Sequence, residues 1–163
     1  MTDKSLSASA GRVQAALDRS GLSLQVVELP ASTRTAAEAA AAVGVQVGQI
    51  AKSLVLRGQT SGQAYLILTS GGNRLDLQRA SALAGEPVAL AQPDFVREQT
   101  GFAIGGVPPA GHLRPIRTWV DRDLLTYDVV WAAAGTPNAV FRLTGEQLLR
   151  LTAGEAAEVA LTA

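Results

Sequence analysis

Apolar positions fall in short clusters whose spacing changes along the chain, and the changes predict an alternation of short helices and strands. Val13, Ala16, Leu17 and Leu22 recur at helical spacing around Gly21, which predicts an amphipathic helix over residues 9–20 packed on a sheet. Residues 24–29, rich in Val and Leu and stopped by Pro30, read as a strand. Thr35 and Glu38 form a capping box that opens an alanine-rich helix over Ala36–Val43, closed by Gly44. In the strand predicted over 50–57, Ile50, Lys52, Leu54 and Leu56 share one face, and Ala51, Ser53, Val55 and Arg57 the other. A Gly/Ser turn over 59–63 then returns the chain as an antiparallel partner over 64–69.

Downstream the same signals repeat. Asp76 is a natural N-cap for Leu77–Ala84, and Gly85 with Pro87 ends that helix. Residues 88–91 are a brief extended piece, and Pro93–Thr100 is a helix with proline in its first turn and Gly101 after its last. Residues 113–116 and 118–120 form apolar steps, and 129–134 and Ala139–Leu143 read as strands about a Gly135–Asn138 turn. Thr144 and Gln147 cap a helix carrying Leu148, Leu149 and Leu151, and a last strand is expected over 158–161. The sum is an α/β chain of the α+β type, with a mixed, mostly antiparallel sheet of about seven strands and short helices around it. No repeat or linker divides residues 1–163, so one domain is expected, its small polar residues 1–8 frayed.

Composition narrows the chemistry. The chain has 163 residues, enough for a real core, and no cysteine, which excludes disulfides, thiolate zinc sites and a cysteine nucleophile. Its single histidine, His112, provides no histidine cluster for a metal but leaves a Ser/His/Asp arrangement open. Fourteen basic residues balance fourteen acidic ones, so any nucleic-acid contact should be local. No apolar run approaches the ~20 residues of a membrane span, and residues 1–10 lack the core of a signal peptide. The expectation is a soluble cytoplasmic protein. Asp121, Asp123 and Asp128 match no known metal loop and read as solvated turn charges, so no metal or cofactor is expected.

Two stretches carry candidate chemistry. Residues 101–112, Gly-Phe-Ala-Ile-Gly-Gly-Val-Pro-Pro-Ala-Gly-His, hold four glycines and two adjacent prolines. Glycine lets backbone amides approach a ligand and proline fixes where they aim, although a rigid turn would look the same. Lys52 shares a strand face with large aliphatics, so it either snorkels to water or stands desolvated at a cleft mouth, ready for an anion or carbonyl. Ser70-Gly-Gly-Asn73 lacks any phosphate-loop spacing and reads as a plain turn.

Gly-Gly-Val-Pro-Pro-Ala-Gly-His at 105–112, Gln-Ile-Ala-Lys-Ser-Leu-Val-Leu at 49–56 and Asn-Arg-Leu-Asp-Leu-Gln-Arg-Ala at 73–80 resemble, in order and spacing, motifs of the YbaK-like prolyl-tRNA-editing family of aminoacyl-tRNA deacylases. The resemblance runs over roughly 13–151 and implies that family's fold. It implies a trans-editing hydrolase that clears mischarged aminoacyl-tRNA, tRNA for proline carrying a smaller amino acid, without a cofactor. Partners would be the tRNA acceptor end and prolyl-tRNA synthetase. By the same resemblance Lys52 anchors the substrate's terminal end, and Ser53 follows as a small polar contact. The amides of Gly105 and Gly106 would meet the carbonyl, while Val107, Pro108, Pro109 and Gly111 shape the pocket. Gly135, Thr136 and Asn138 match a second pocket-side loop, and His112 is a candidate general base. Two alternatives stand beside this: a non-catalytic module that binds aminoacyl-tRNA or a synthetase, and a small-molecule esterase pairing Ser53 or Ser70 with His112. Edge strands of such a sheet need covering, which leaves a homodimer open.

Overall fold

Eight strands form one sheet in the computed structural model, which describes residues 6–161. In chain order the elements are α1 (Ala8–Ser20), β1 (Val26–Glu28), α2 (Ala36–Val43), β2 (Ile50–Gly58), β3 (Ala64–Ser70), α3 (Leu77–Ala84) and β4 (Val88–Leu90). There follow α4 (Pro93–Thr100), β5 (Arg117–Asp121), β6 (Val130–Ala133), β7 (Ala139–Leu143), α5 (Gly145–Thr152) and β8 (Glu155–Ala157). The spatial order is β1-β7-β6-β2-β3-β5-β8, with β4 added to β2. Pairs β1/β7, β6/β7, β2/β3 and β2/β4 are antiparallel, whereas β2/β6, β3/β5 and β5/β8 are parallel. The mixed, mostly antiparallel sheet is as expected, one strand larger.

Local signals set the helix ends. Thr35 and Thr144 accept from the amides of Glu38 and Gln147 in two complete capping boxes, and Asp76 accepts from those of Gln78 and Arg79. Ser7 accepts from Ala10 N–H and starts α1 at Ala8, within the stretch expected to fray; residues 1–5 lie outside the described residues.

The sheet separates a large core from two small ones, as the parity of β2 requires. Odd positions Ala51 and Val55 join Leu66, Leu68, Val120, Phe141 and Leu143 under Val13 and Leu17 of α1, Val96 of α4 and Leu148 of α5. Even positions face the other way. Leu56 packs with Ile67, Trp119 and Ala80 of α3, and Ile50 with Ala39 and Ala40 of α2. Lys52 lies between these two small clusters. Leu66, Ile67 and Leu68 are all fully buried, so truncating any one to alanine should cost about 2–5 kcal/mol.

Two expectations need correction. The last strand is β8 at Glu155–Ala157, not 158–161, although Ala160 bridges Leu75. Val159 is fully buried and its carbonyl accepts from Asp76 N–H, so this apolar stretch plugs the small core instead of extending the sheet. Asp121 is not a solvated turn charge. It is 1 % exposed and bonded within the fold.

Candidate active site

The site begins with an interruption in the edge of β2. Pairing with β6 ends at Ala51, and pairing with β4 starts at Leu56. Even residues of β2 turn their backbone groups toward β3, as Gly58 N–H donating to Gln63 O at 2.8 Å shows. Odd residues turn the other way, as Val55 O accepting from Ala91 N–H at 3.0 Å shows. Ser53 therefore directs its N–H and C=O into an interval that neither β6 nor β4 fills. A cavity of about 230 Å³ opens there, walled by Lys52, Ser53, Arg34, Trp131, Gly105 and Val107 among others.

Each wall has a local cause. Lys52 is half-buried, and its Nζ donates to Asn73 O at 3.4 Å, a long bond that leaves the ammonium donors for a ligand. The hydroxyls of Ser53 and of Thr69, which pairs with Lys52 across β2/β3, are buried with no partner among the described residues. Gly105 has φ +95°, and its turn is closed by Gly106 N–H donating to Ala103 O at 3.1 Å. A β-carbon at Gly105 would lie 2.8 Å from Arg34 Cγ, so glycine lets the loop close on the Arg34 wall.

Gly106 does not present backbone to the cavity. Its N–H is held by Ala103, and its carbonyl accepts from Gly135 N–H at 2.8 Å. Among the described residues the amides of Gly105 and Val107 donate to nothing, so the donors of this loop are its neighbours.

The second loop works from behind. Gly135, Thr136 and Asn138 lie outside the cavity wall. Asn138 Nδ2 donates to Leu29 O at 2.9 Å, and Pro137 O accepts both from Thr33 N–H at 2.6 Å and from Thr33 Oγ1 at 3.0 Å. These bonds tie down the segment that delivers Arg34. Thr136 Oγ1 donates to Asn138 Oδ1 at 2.9 Å and fixes the amide that does it.

His112 is not brought to Lys52. With Pro109 and Gly111 it lines a different, more open groove of about 780 Å³, whose walls also carry Arg19, Arg114 and Arg117. Its Nε2 lies 2.7 Å from Pro108 O, and a carbonyl only accepts, so Nε2 bears the proton. Burial holds the ring's pKa below its ordinary value. No hydrogen bond joins His112 to Ser53 or Ser70, and Ser70 Oγ donates instead to Gly48 O at 2.6 Å. The pairing needed for a serine esterase is not assembled.

The residues that sequence reasoning missed are Arg34, the backbone edge at Ser53, and Asp121 with Asn73. Asp121 accepts from Ser70 N–H at 3.0 Å, Asn73 Nδ2 at 2.9 Å and Asp123 N–H at 2.9 Å. A carboxylate ending an apolar run was visible. Its partners, some fifty residues upstream (|i−j| of 51 and 48), were not.

Fold and cleft together define a mixed-sheet domain with one small cavity walled by a lysine, an open strand edge and a glycine turn. The chain belongs to the aminoacyl-tRNA editing domain family, whose model matches residues 30–151. YwhH of Bacillus subtilis (strain 168), an uncharacterized protein, is 34 % identical over 123 residues, covering 76 % of this chain and 78 % of YwhH. EbsC of Enterococcus faecalis (strain ATCC 700802 / V583), a candidate Cys-tRNA(Pro)/Cys-tRNA(Cys) deacylase, is 28 % identical over 126 residues, covering 77 % of this chain and 76 % of EbsC. A crystal structure of a candidate trans-editing enzyme for prolyl-tRNA synthetase superposes with a TM-score of 0.91 at 58 % identity, covering 97 % of this chain and 100 % of that one. Among the described residues no helix is long and apolar enough to cross a membrane.

Proposed function

We propose that this protein is a trans-editing deacylase that hydrolyses the ester between a small, non-cognate amino acid and the terminal ribose of tRNA for proline, alongside prolyl-tRNA synthetase. The observation that carries the reading is the meeting of Lys52, the open backbone edge at Ser53 and the Gly105 turn around one cavity. The description of EbsC and of the 58 % identical trans-editing structure support proline tRNA as the carrier.

An ester to a ribose hydroxyl is already activated, so the protein need only orient it, exclude competing poses and stabilise the oxyanion. Lys52 holds the anionic terminal end. The N–H groups of Gly105 and Ser53 meet the carbonyl oxygen as charge develops on it. Water adds its oxygen to the carbonyl carbon, the bond to the ribose oxygen breaks, and that oxygen leaves with a proton, giving free amino acid and intact tRNA. The cavity of about 230 Å³ is small beside ordinary ligand pockets of roughly 300–1,000 Å³, which favours a small acyl group. Across the loop, Arg19, Arg114 and Arg117 offer guanidinium groups to backbone phosphates of the same tRNA. Arg117 lies over Trp119, with its Cζ 4.6 Å from the ring centroid.

The test is a panel of proline tRNAs charged with alanine, cysteine, serine, 2-aminobutyrate or proline, given to wild type and Lys52→Ala. Rapid loss of one mischarged species, sparing of prolyl-tRNA and an inactive variant would support the reading. Binding without hydrolysis of any ester would replace the enzyme with a non-catalytic sensor of aminoacyl-tRNA.

A further inference from the structure

Asp121 ends β5 with its side chain inside the protein, 1 % exposed, and among the described residues no lysine, arginine or histidine pairs with it. A buried carboxylate without a cation persists only when hydrogen bonds replace its water. Here the bonds are from Ser70 N–H at 3.0 Å, Asn73 Nδ2 at 2.9 Å and Asp123 N–H at 2.9 Å. Two of these three donors, Ser70 at the end of β3 and Asn73, bound the turn that follows the strand. The same turn is closed by Asn73 N–H donating to Ser70 O at 2.8 Å, and Asn73 Nδ2 also reaches Asp123 Oδ2 at 2.8 Å.

What the turn carries is the carbonyl of Asn73, which accepts from Lys52 Nζ at 3.4 Å. Lys52 is otherwise lightly constrained. The hydroxyl of Thr69, its partner across β2/β3, makes no bond among the described residues, and the side chain sits between two apolar clusters that cannot direct a charge. The ammonium's place is therefore set by where the Asn73 carbonyl stands, and the carbonyl's place by the carboxylate beneath it. Hydrogen bonds to an ionised acceptor are shorter and stronger than neutral ones, which is a reason for aspartate here rather than asparagine.

We propose that Asp121 is a positioning residue: through Asn73 it sets the location and availability of the Lys52 ammonium in the cleft. The proposal rests on the reading that Lys52 meets the substrate, and its test does not depend on turnover. Lys4 and Lys52 are the only lysines in the chain, so an amine-acylating ester followed by mass spectrometry reads the cleft lysine against an internal reference.

The experiment compares wild type, Asp121→Asn and Asn73→Ala. Loosening the turn frees the ammonium from its one acceptor. The expected result is a several-fold faster acylation of Lys52 in both variants with Lys4 unchanged. Equal Lys52 rates in wild type and Asn73→Ala, a change at a partly exposed turn, would overturn it even if Asp121→Asn failed to fold. Deacylation kinetics give the second measurement. Asp121→Asn should lower kcat roughly 10- to 100-fold with little change in KM, and should lower it no further when Lys52 is already methionine. Additive losses in that double variant would assign Asp121 a purely structural role. Full activity of Lys52→Met would instead remove Lys52 from the deacylation, while the acylation result would still decide the positioning.

Discussion

The two halves of the 101–112 loop do opposite work. In the first half, Gly105 stands at φ +95° over Arg34, with its amide unbonded among the described residues and the cavity in front of it. In the second half, Pro108 and Pro109 are buried, and the His112 ring donates back to the Pro108 carbonyl. One half presents backbone and the other holds the first half still. A ligand-facing amide must be left unsatisfied by the protein, and that is tolerable only where neighbouring residues fix the chain by other bonds.

The largest effect should come from the cleft itself. Lys52→Ala is expected to lower kcat/KM for the mischarged tRNA ~10²–10³-fold while leaving the melting temperature close to wild type, since the side chain makes one long bond. Steady-state kinetics with a thermal melt checks both. Next, Gly105→Ala and Gly111→Ala set the halves against each other. Both glycines have positive φ, +95° and +87°, so each alanine should cost about 1–2 kcal/mol by chemical denaturation. Only Gly105→Ala should also abolish most turnover. Equal activity losses in the two variants would erase the distinction.

A smaller effect is expected across the loop. Charge reversal at Arg114 and Arg117 should raise KM for tRNA and reduce the salt dependence of binding by roughly one unit of log–log slope per lost phosphate contact. Hydrolysis of an aminoacyl-adenosine, which has no phosphate backbone to grip, should be unchanged. The smallest effect should be at His112. His112→Ala removes one hydrogen bond and should cost about 1 kcal/mol, with kcat/KM near wild type. Because burial lowers the folded-state pKa of this ring, its unfolded form binds a proton first. The stability from keeping the ring neutral is then present above the unfolded pKa of about 6.5 and is lost as pH falls through the lower folded value. A pH-dependent melt of wild type against His112→Ala reads that difference, and the variant should show the flatter acid limb.

Much of the fold was legible because its signals are local. The capping boxes at Thr35 and Thr144 and the N-cap at Asp76 stand where the chain places them, as does the face of β2 that carries Lys52. What could not be read was register. That β6 leaves β2 at Ala51 and β4 joins at Leu56 depends on pairings across 30 to 80 residues, to which no local pattern is sensitive. Gly106 and Gly105 are adjacent and chemically identical, and only the turn closed on Ala103 tells which amide is already engaged. Asp121 and Asn73 looked like turn residues for the same reason. Each is one, and their bond is a property of the assembled sheet.

The interval at Ser53 also bears on how the protein keeps its own company. A long bare strand edge recruits other chains, and natural sheets protect such edges with charge, proline or cover. Here the exposed rung is bounded by β6 on one side and β4 on the other, with Lys52 beside it and the glycine turn above. That is too short for a second polypeptide to lay a strand against. A break in pairing this short leaves a donor bare without offering, at this place in the sheet, a template for another strand.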